Sequence, residues 1–449
     1  MQNIKVVILA RAFVIGSFFL PSMIAAQESD VANIESAMLK KAAQNIEQYR
    51  KGEAVISFKT ESGSAFQDAE VEITQISHDF LLGAIIFDLV WEENPYRPEL
   101  FKQRFKDLFN FAVFPFYWEA YEKTQGMPEW RKSLPVIEWC KANGITTKGH
   151  PLVWATPSGK PPWLSQYPMD LTVELLKARV INIVGGFKGQ IDIWDVVNEP
   201  VNVRTWDSEN EKIWGVDEPI QKIADYVEKA FKWAYSANPQ AHLILNEYYT
   251  ITKKNTRERF FSLVQELQKR NTPISGLGIQ AHEPREEWYP PKAVWETFDR
   301  LAELGYPLHI TEFIPQSGGK EITGGWRKGT WTLQTQAEFA EQFFRLSFGH
   351  PAVVSINWWG LSDRDIWLPG GGLLTEDYTP KPVYDVLKKL IHEEWKTKLS
   401  TSTGKRGEVK FRGFYGKYHV KLKTGDGKVH FFDLQVRKDE ENKWVFTVK

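Results

Sequence analysis

Residues 191–200 read IDIWDVVNEP. The run begins as an apolar strand and ends on an amide, a carboxylate and a proline. Pro200 cannot donate to a sheet ladder and disfavours helical backbone in the residue before it, so the strand stops there with Glu199 at its tip. Seven further short apolar runs recur along the chain: FLLGAIIF, NFAVFPF, GITTKGHPLVW, HLILNE, GLGIQAHE, PLHITEF and VVSINWWG. Amphipathic helical stretches such as DLTVELLKARVINIVGGF and ERFFSLVQELQKRN lie between them. Strands buried on both faces read as nearly continuous apolar runs, and eight strand-helix units within residues 79–398 predict an α/β fold, a (β/α)8 TIM barrel. An open doubly wound sheet is the competing reading, and it would call for a Gly-rich turn after the first strand, which GAIIFDLV does not supply.

The barrel has flanks. Residues 1–26 carry Lys5, an apolar run and the small residues Ala25 and Ala26, the pattern of a cleavable secretory signal. Its uninterrupted apolar part is shorter than the roughly 20 residues that span a bilayer, so a secreted protein, extracellular or periplasmic, is expected, with no membrane partner after cleavage. Residues 27–78 form an N-terminal extension. A helix is expected over 32–51, and EAVISFKT and AEVEITQI read as two antiparallel strands. Residues 399–449 alternate apolar and polar side chains between TGDGK and KDEEN, a small C-terminal antiparallel β-unit. Each flank has a thin core, and pairing them into one accessory lobe would give both what they lack. The C-terminal unit is expected to be dispensable for chemistry, since every candidate site residue precedes it.

Formal net charge is −1 over 449 residues, which gives no reason to expect nucleic acid or an anionic membrane as partner and points to a neutral substrate. Nineteen tryptophans offer ring faces for core packing or for stacking on sugars and bases. Cys140 is the only cysteine, so no intrachain disulfide forms.

In such a barrel the working face lies at the C-terminal ends of the strands. The polar residues that end the runs are His150 and Trp154, Asn198 and Glu199, Asn246 and Glu247, Gln280 and His282, Glu312, and Asn357 with Trp358 and Trp359. Glu199 closes the fourth strand and Glu312 the seventh, nearly opposite each other. Two carboxylates about 5 Å apart cleave a glycosidic bond with retention, one protonating the leaving oxygen while the other attacks the anomeric carbon. The acid must hold its proton while the nucleophile stays ionised. Asn198 would alternate away from Glu199 in a regular strand and reaches the same site only if the pleat breaks, for which Pro200 supplies a cause. The histidines form neither HxH nor HExxH, so neither metal nor cofactor is called for.

KGHPLVW, WDVVNEP, GLGIQAH, LHITEF and WWGLSDRDIWLPGGGLLTEDYTPKPVYDVL, in this order along the chain, together resemble glycoside hydrolase family 10, the endo-β-1,4-xylanase family. The resemblance implies a retaining endo-acting hydrolase of xylan or its oligosaccharides, with Glu199 as acid/base and Glu312 as nucleophile. It further implies that Asn198 bonds the 2-hydroxyl of the reacting sugar and that His150, Gln280 and His282 line the same subsite. Trp154 belongs to the matched KGHPLVW, and Trp359 and Trp367 become stacking walls. Three departures alter the sugar-binding shell. Phe116, Tyr117 and Trp118 stand where the family places polar residues, Ala155 stands in place of a histidine, and Ile314 in place of an aspartate that would steady His282. Another β-linked glycan, a barrel that binds glycans without turnover and a metal-dependent hydrolase are the remaining readings.

Overall fold

Each of the eight apolar runs forms a strand, and in the computed structural model the eight close on one another. The structure describes residues 19–209, 211–364 and 366–448, with side chains from residue 30 onward. The expected signal therefore lies outside the described residues, except that the backbone of 19–26 belongs to a helix spanning Phe19–Tyr49. That helix is longer than the one expected over 32–51. No helix among the described residues is long and apolar enough to cross a membrane.

Two strands precede the barrel, β1 (Lys51–Thr60) and β2 (Glu70–His78). The barrel strands are β3 (Leu81–Ile85), β4 (Phe111–Pro115), β5 (Thr146–His150) and β6 (Ile193–Asn198), then β7 (His242–Glu247), β8 (Gly276–Ile279), β9 (Leu308–Phe313) and β10 (Val353–Trp358). They form a closed parallel barrel in chain order, with β10 pairing back onto β3. Most of their residues are buried because side chains on one face fill the barrel and those on the other pack under helices.

Five strands follow: β11 (Lys398–Ser402), β12 (Glu408–Phe414), β13 (Gly416–Lys423), β14 (Val429–Val436) and β15 (Lys443–Val448). They share sheets with β1 and β2. One sheet has the order β12-β1-β15 and the other β11-β2-β13-β14. The N-terminal strands do not pair with each other as an antiparallel couple. Their apolar faces meet across the sandwich, Ala54, Ile56 and Phe58 opposite Val71 and Ile73 in one core, while their ladder partners come from the far end of the chain. A sheet face needs an opposing face more than it needs its sequence neighbour.

The lobe is fastened to the barrel end opposite the strand tips. Arg50 donates to the carbonyls of Phe348 and His350 at 2.6 Å and of Val353 at 2.7 Å, capping the helix that leads into β10. Trp395 stacks on Phe348 at 4.2 Å. Gly349 lets the N-terminal helix cross closely, since a Cβ there would stand 2.7 Å from Ala42. The strand tips are thus left open to solvent.

Because β1 and β2 take their partners from 398–448, a chain cut after residue 397 keeps its barrel strands but leaves two strands unpaired on both edges and exposes half a core. Such a truncation is expected to lose soluble yield and to unfold at lower temperature in a thermal scan. An unchanged midpoint would show that the lobe is not integral to the fold.

Candidate active site

β6 and the residue after it bring Asn198 and Glu199 to the cleft and Asp195 beneath it, and a regular pleat could not do so. Its register against β7 shifts between Asp195 and Val197, which allows Asp195 and Asn198 to point the same way. Glu199 then adopts left-handed backbone, φ 60°, and swings in beside Asn198. Pro200 does not account for this, because a residue before proline prefers extended backbone. The conformation is held by the Glu199 N–H, donated to the Asn246 carbonyl at 2.8 Å, and by the bonds its side chain makes.

The side chain of Glu199 is buried among donors. Trp154 Nε1 donates to Oε2 at 2.8 Å, and Gln280 Nε2 and Asn198 Nδ2 donate to Oε1 at 2.9 and 3.2 Å. Asn246 Nδ2 donates both to Asn198 Oδ1 and to Glu312 Oε1, each at 2.8 Å, and its own oxygen accepts from Thr311. The two carboxylates are therefore joined through a relay of side-chain amides. Burial raises the Glu199 pKa to about 7; the bond from Gln280 works against this and the neighbouring Glu312 charge adds to it. Glu312 faces His282 Nε2 at 3.4 Å and His150 Nε2 at 4.0 Å.

His150 is oriented from behind. The β5–β6 register, Gly149 level with Trp194, brings His150 alongside Asp195, which accepts from its Nδ1 at 2.7 Å and pairs with Lys148 at 2.6 Å. Burial opposes the Asp195 charge, but Lys148 and His150 offset it and hold the carboxyl below its usual range. Gln280 is fully buried beneath the carboxylates rather than on the subsite wall. Left-handed Ala281 separates it from His282, which does face the cleft.

An open cleft of about 890 Å3 lies over these groups. His150, Trp154, Asn198, Glu199, His282 and Glu312 line it, and so do Trp359 and Trp367. Trp359 meets the His150 ring edge-on at 4.9 Å, and Trp367, 41% exposed, meets His282 at 5.3 Å. Trp358 packs in the barrel wall. Of the aromatic substitutions after β4 only Tyr117 reaches the cleft, while Phe116 and Trp118 join the core. Ile314 is buried with Phe87, Val113, Trp359 and Leu368 in an apolar cluster, and His282 Nδ1 has no hydrogen-bond partner among the described residues. An aspartate at 314 would bury a charge among these side chains, so the site is built around an apolar neighbour there.

Sequence reasoning missed Asp195, Lys148 and the bridging role of Asn246. Two opposite charges inside strands that otherwise read apolar were the available signal. It becomes decisive only once the register places them together. Glu247, the other acid at the end of β7, points away and accepts from Val201 N, Asn202 Nδ2 and Tyr248 N at 2.8–2.9 Å, fixing the segment after Glu199; burial pushes its carboxyl up to about 8.

Comparisons with known proteins bear on this site. Residues 76–390 match the model of Glycosyl hydrolase family 10. Endo-1,4-beta-xylanase B of Thermotoga neapolitana is 31% identical over 275 residues, 58% of this chain and 73% of that protein. Endo-1,4-beta-xylanase 2 of Arabidopsis thaliana is 26% identical over 388 residues, 84% of this chain but only 33% of that protein, so the chain spans a minor part of some relatives. Among solved structures, xylanase 10B of Thermotoga petrophila RKU-1 in complex with xylobiose superimposes with a TM-score of 0.57 at 25% identity, covering 70% of this chain and 95% of that one.

Asp195→Asn leaves Lys148 buried without its counter-charge. The expected cost is about 3 kcal/mol or more in denaturant unfolding. Adding Lys148→Met to that variant should recover most of the loss, because the pair is then removed as a unit. A double variant no more stable than Asp195→Asn would show that the pair is not the source.

Proposed function

Since the chain belongs to glycosyl hydrolase family 10, we propose that this glycoside hydrolase cleaves β-1,4-xylosidic bonds within xylan, with retention, through a covalent glycosyl-enzyme. The observation that carries the reading is the pair Glu199 and Glu312, two acids in one cleft whose surroundings differ. Glu199, its pKa raised by burial, holds a proton near neutral pH and gives it to the glycosidic oxygen as the bond to the anomeric carbon breaks. Glu312 supplies the electron pair that forms the new bond to that carbon. Glu199, now ionised, takes a proton from water, whose oxygen displaces Glu312 and regenerates both groups.

Attack within a polymer needs sugar sites on both sides of the carboxylates. Phe87, Trp91 and Tyr117 follow β3 and β4, whereas Trp214, Tyr249 and Lys253 follow β6 and β7 across the mouth, and all six line the cleft. Such a layout suits endo action. The leader-like residues 1–26 suit it too, because a polymeric substrate stays outside the cell.

Two expectations follow. Because the acid must be protonated, kcat/KM on unactivated xylo-oligosaccharides should fall as pH rises through about 7. That alkaline limb should disappear in Glu199→Ala acting on an aryl glycoside whose leaving group needs no proton. A limb that persists there assigns the titration to another group.

The roles separate with azide. Glu312→Gln should nearly abolish turnover on every substrate, whereas Glu199→Ala should accumulate glycosyl-enzyme from an aryl xyloside and be accelerated by azide, giving the β-glycosyl azide. An α-azide, or rescue in Glu312→Gln alone, would overturn the assignment. Reducing-end release from a panel of β-glycans tests the substrate, and absence of release from all of them would favour the binding-only alternative.

A further inference from the structure

A second cavity, about 690 Å3, lies on the flank of the barrel between the segment after β4 and the helix Met169–Gly186. The chemistry above makes no use of it. Trp118, Tyr121, Trp130 and Trp163 supply aromatic wall, and Glu122, Gln125 and Asn182 supply polar groups. The rings are fixed in advance. Trp118 Nε1 donates to Glu122 Oε2 at 2.7 Å, Trp163 Nε1 donates to the Glu122 carbonyl at 2.9 Å, and the two indoles meet edge-to-face at 5.7 Å. Trp130 is 41% exposed, with Arg131, which does not line the cavity, over its ring.

Polar groups here are held in place, and one buried donor is left open. Arg179, only 5% exposed, also lines the cavity; its Nε and Nη2 donate to the carbonyls of Leu152 and Phe116, while Nη1 has no partner among the described residues. A buried guanidinium N–H without an acceptor is unfavourable unless something brings one. Gln125 Oε1 accepts from the Tyr167 hydroxyl at 2.9 Å and from Gln166 Nε2 at 3.5 Å, which fixes its amide at the exposed rim of the cavity. Aromatic faces suit the C–H faces of a sugar ring, and carboxylate, amides and guanidinium suit the hydroxyls around its edge. A purely apolar ligand would leave the polar groups stranded.

We propose that this cavity is a second glycan-binding site, taking a stretch of the polymeric substrate against Trp130 and Trp163, with sugar hydroxyls on Glu122, Asn182 and Arg179. The identity of the glycan, xylan, rests on the reading in the preceding subsection. Tyr117 lines the catalytic cleft and its neighbour Trp118 lines this cavity, so a single turn of chain separates the two sites. A polymer held at one is presented to the other at raised effective concentration, which a short substrate cannot exploit.

The test first blocks the glycone side of the catalytic cleft, with a fluorinated xylobioside that traps the glycosyl-enzyme on Glu312, so that polymer can no longer thread through it. Native-gel mobility is then measured in soluble xylan, in mixed-linkage β-glucan and without polysaccharide. The labelled protein should still be retarded by xylan, and Trp130→Ala at its exposed position should weaken that retardation by about tenfold or more. Asn182→Ala should weaken it less. Both variants should keep kcat/KM on a short aryl xylobioside within about twofold while losing activity on dilute polymer. Labelled protein that migrates alike in every gel overturns the second site, as does retardation that neither variant changes. Retardation by β-glucan alone overturns xylan as the ligand. A label that fails to attach counts against the catalytic reading instead, and the Trp130→Ala comparison on unlabelled protein then decides the cavity.

Discussion

Two carboxylates in one desolvated cleft cannot both be ionised without a large electrostatic cost, and much of the architecture around the barrel mouth answers that constraint. Asn246 donates to Glu312, Asn198 and Gln280 donate to Glu199, and none of the three brings a charge of its own. Lys148, a buried cation beneath the site, is matched by Asp195, so its field is spent on orienting His150 rather than on ionising Glu199. The arrangement links stability to pH. Folded protein holds the Glu199 proton more tightly than the unfolded chain, so this contribution is fully present below pH 4.5 and is lost as pH rises through about 7.

The barrel was legible because its strands are buried on both faces, and burial writes itself into sequence as runs such as HLILNE and PLHITEF. Glu199 and Glu312 were legible for the complementary reason: a carboxylate that ends such a run has no place in a core. What could not be read required knowing which strands lie side by side. Asp195 in IWDVVN looks like an interruption until the register sets it against His150. Asn246 looks like one strand-end amide among several until Asn198 and Glu312 are seen on either side of it. The three aromatics at 116–118 read alike, yet alternation sends only Tyr117 to the cleft. The flanking strands were found from their alternation, but their partners lie hundreds of residues away, beyond any local pattern.

The departures from the family pattern gain physical content in the same way. Ile314 seals an apolar cluster behind Trp359, and His282 is positioned by Glu312 and the edge of Trp367 instead of by an aspartate. Glu199 and Glu312 keep their bonds despite these departures, because the donors Trp154, Asn198, Asn246 and Gln280 are not among the substituted positions.

The sandwich that joins β1 and β2 to the last strands also sets an order of events during biosynthesis. A ribosome delivers β1 and β2 before the barrel strands and their partners only after them. Until then the nascent chain carries unpaired strand edges and half a core beside a barrel that is itself incomplete, the kind of surface chaperones shield. Closing this longest loop is the slow, non-local step. A chain released before residues 398–448 are made has nothing with which to finish the lobe, so burial of β1 and β2 waits on the synthesis of that stretch.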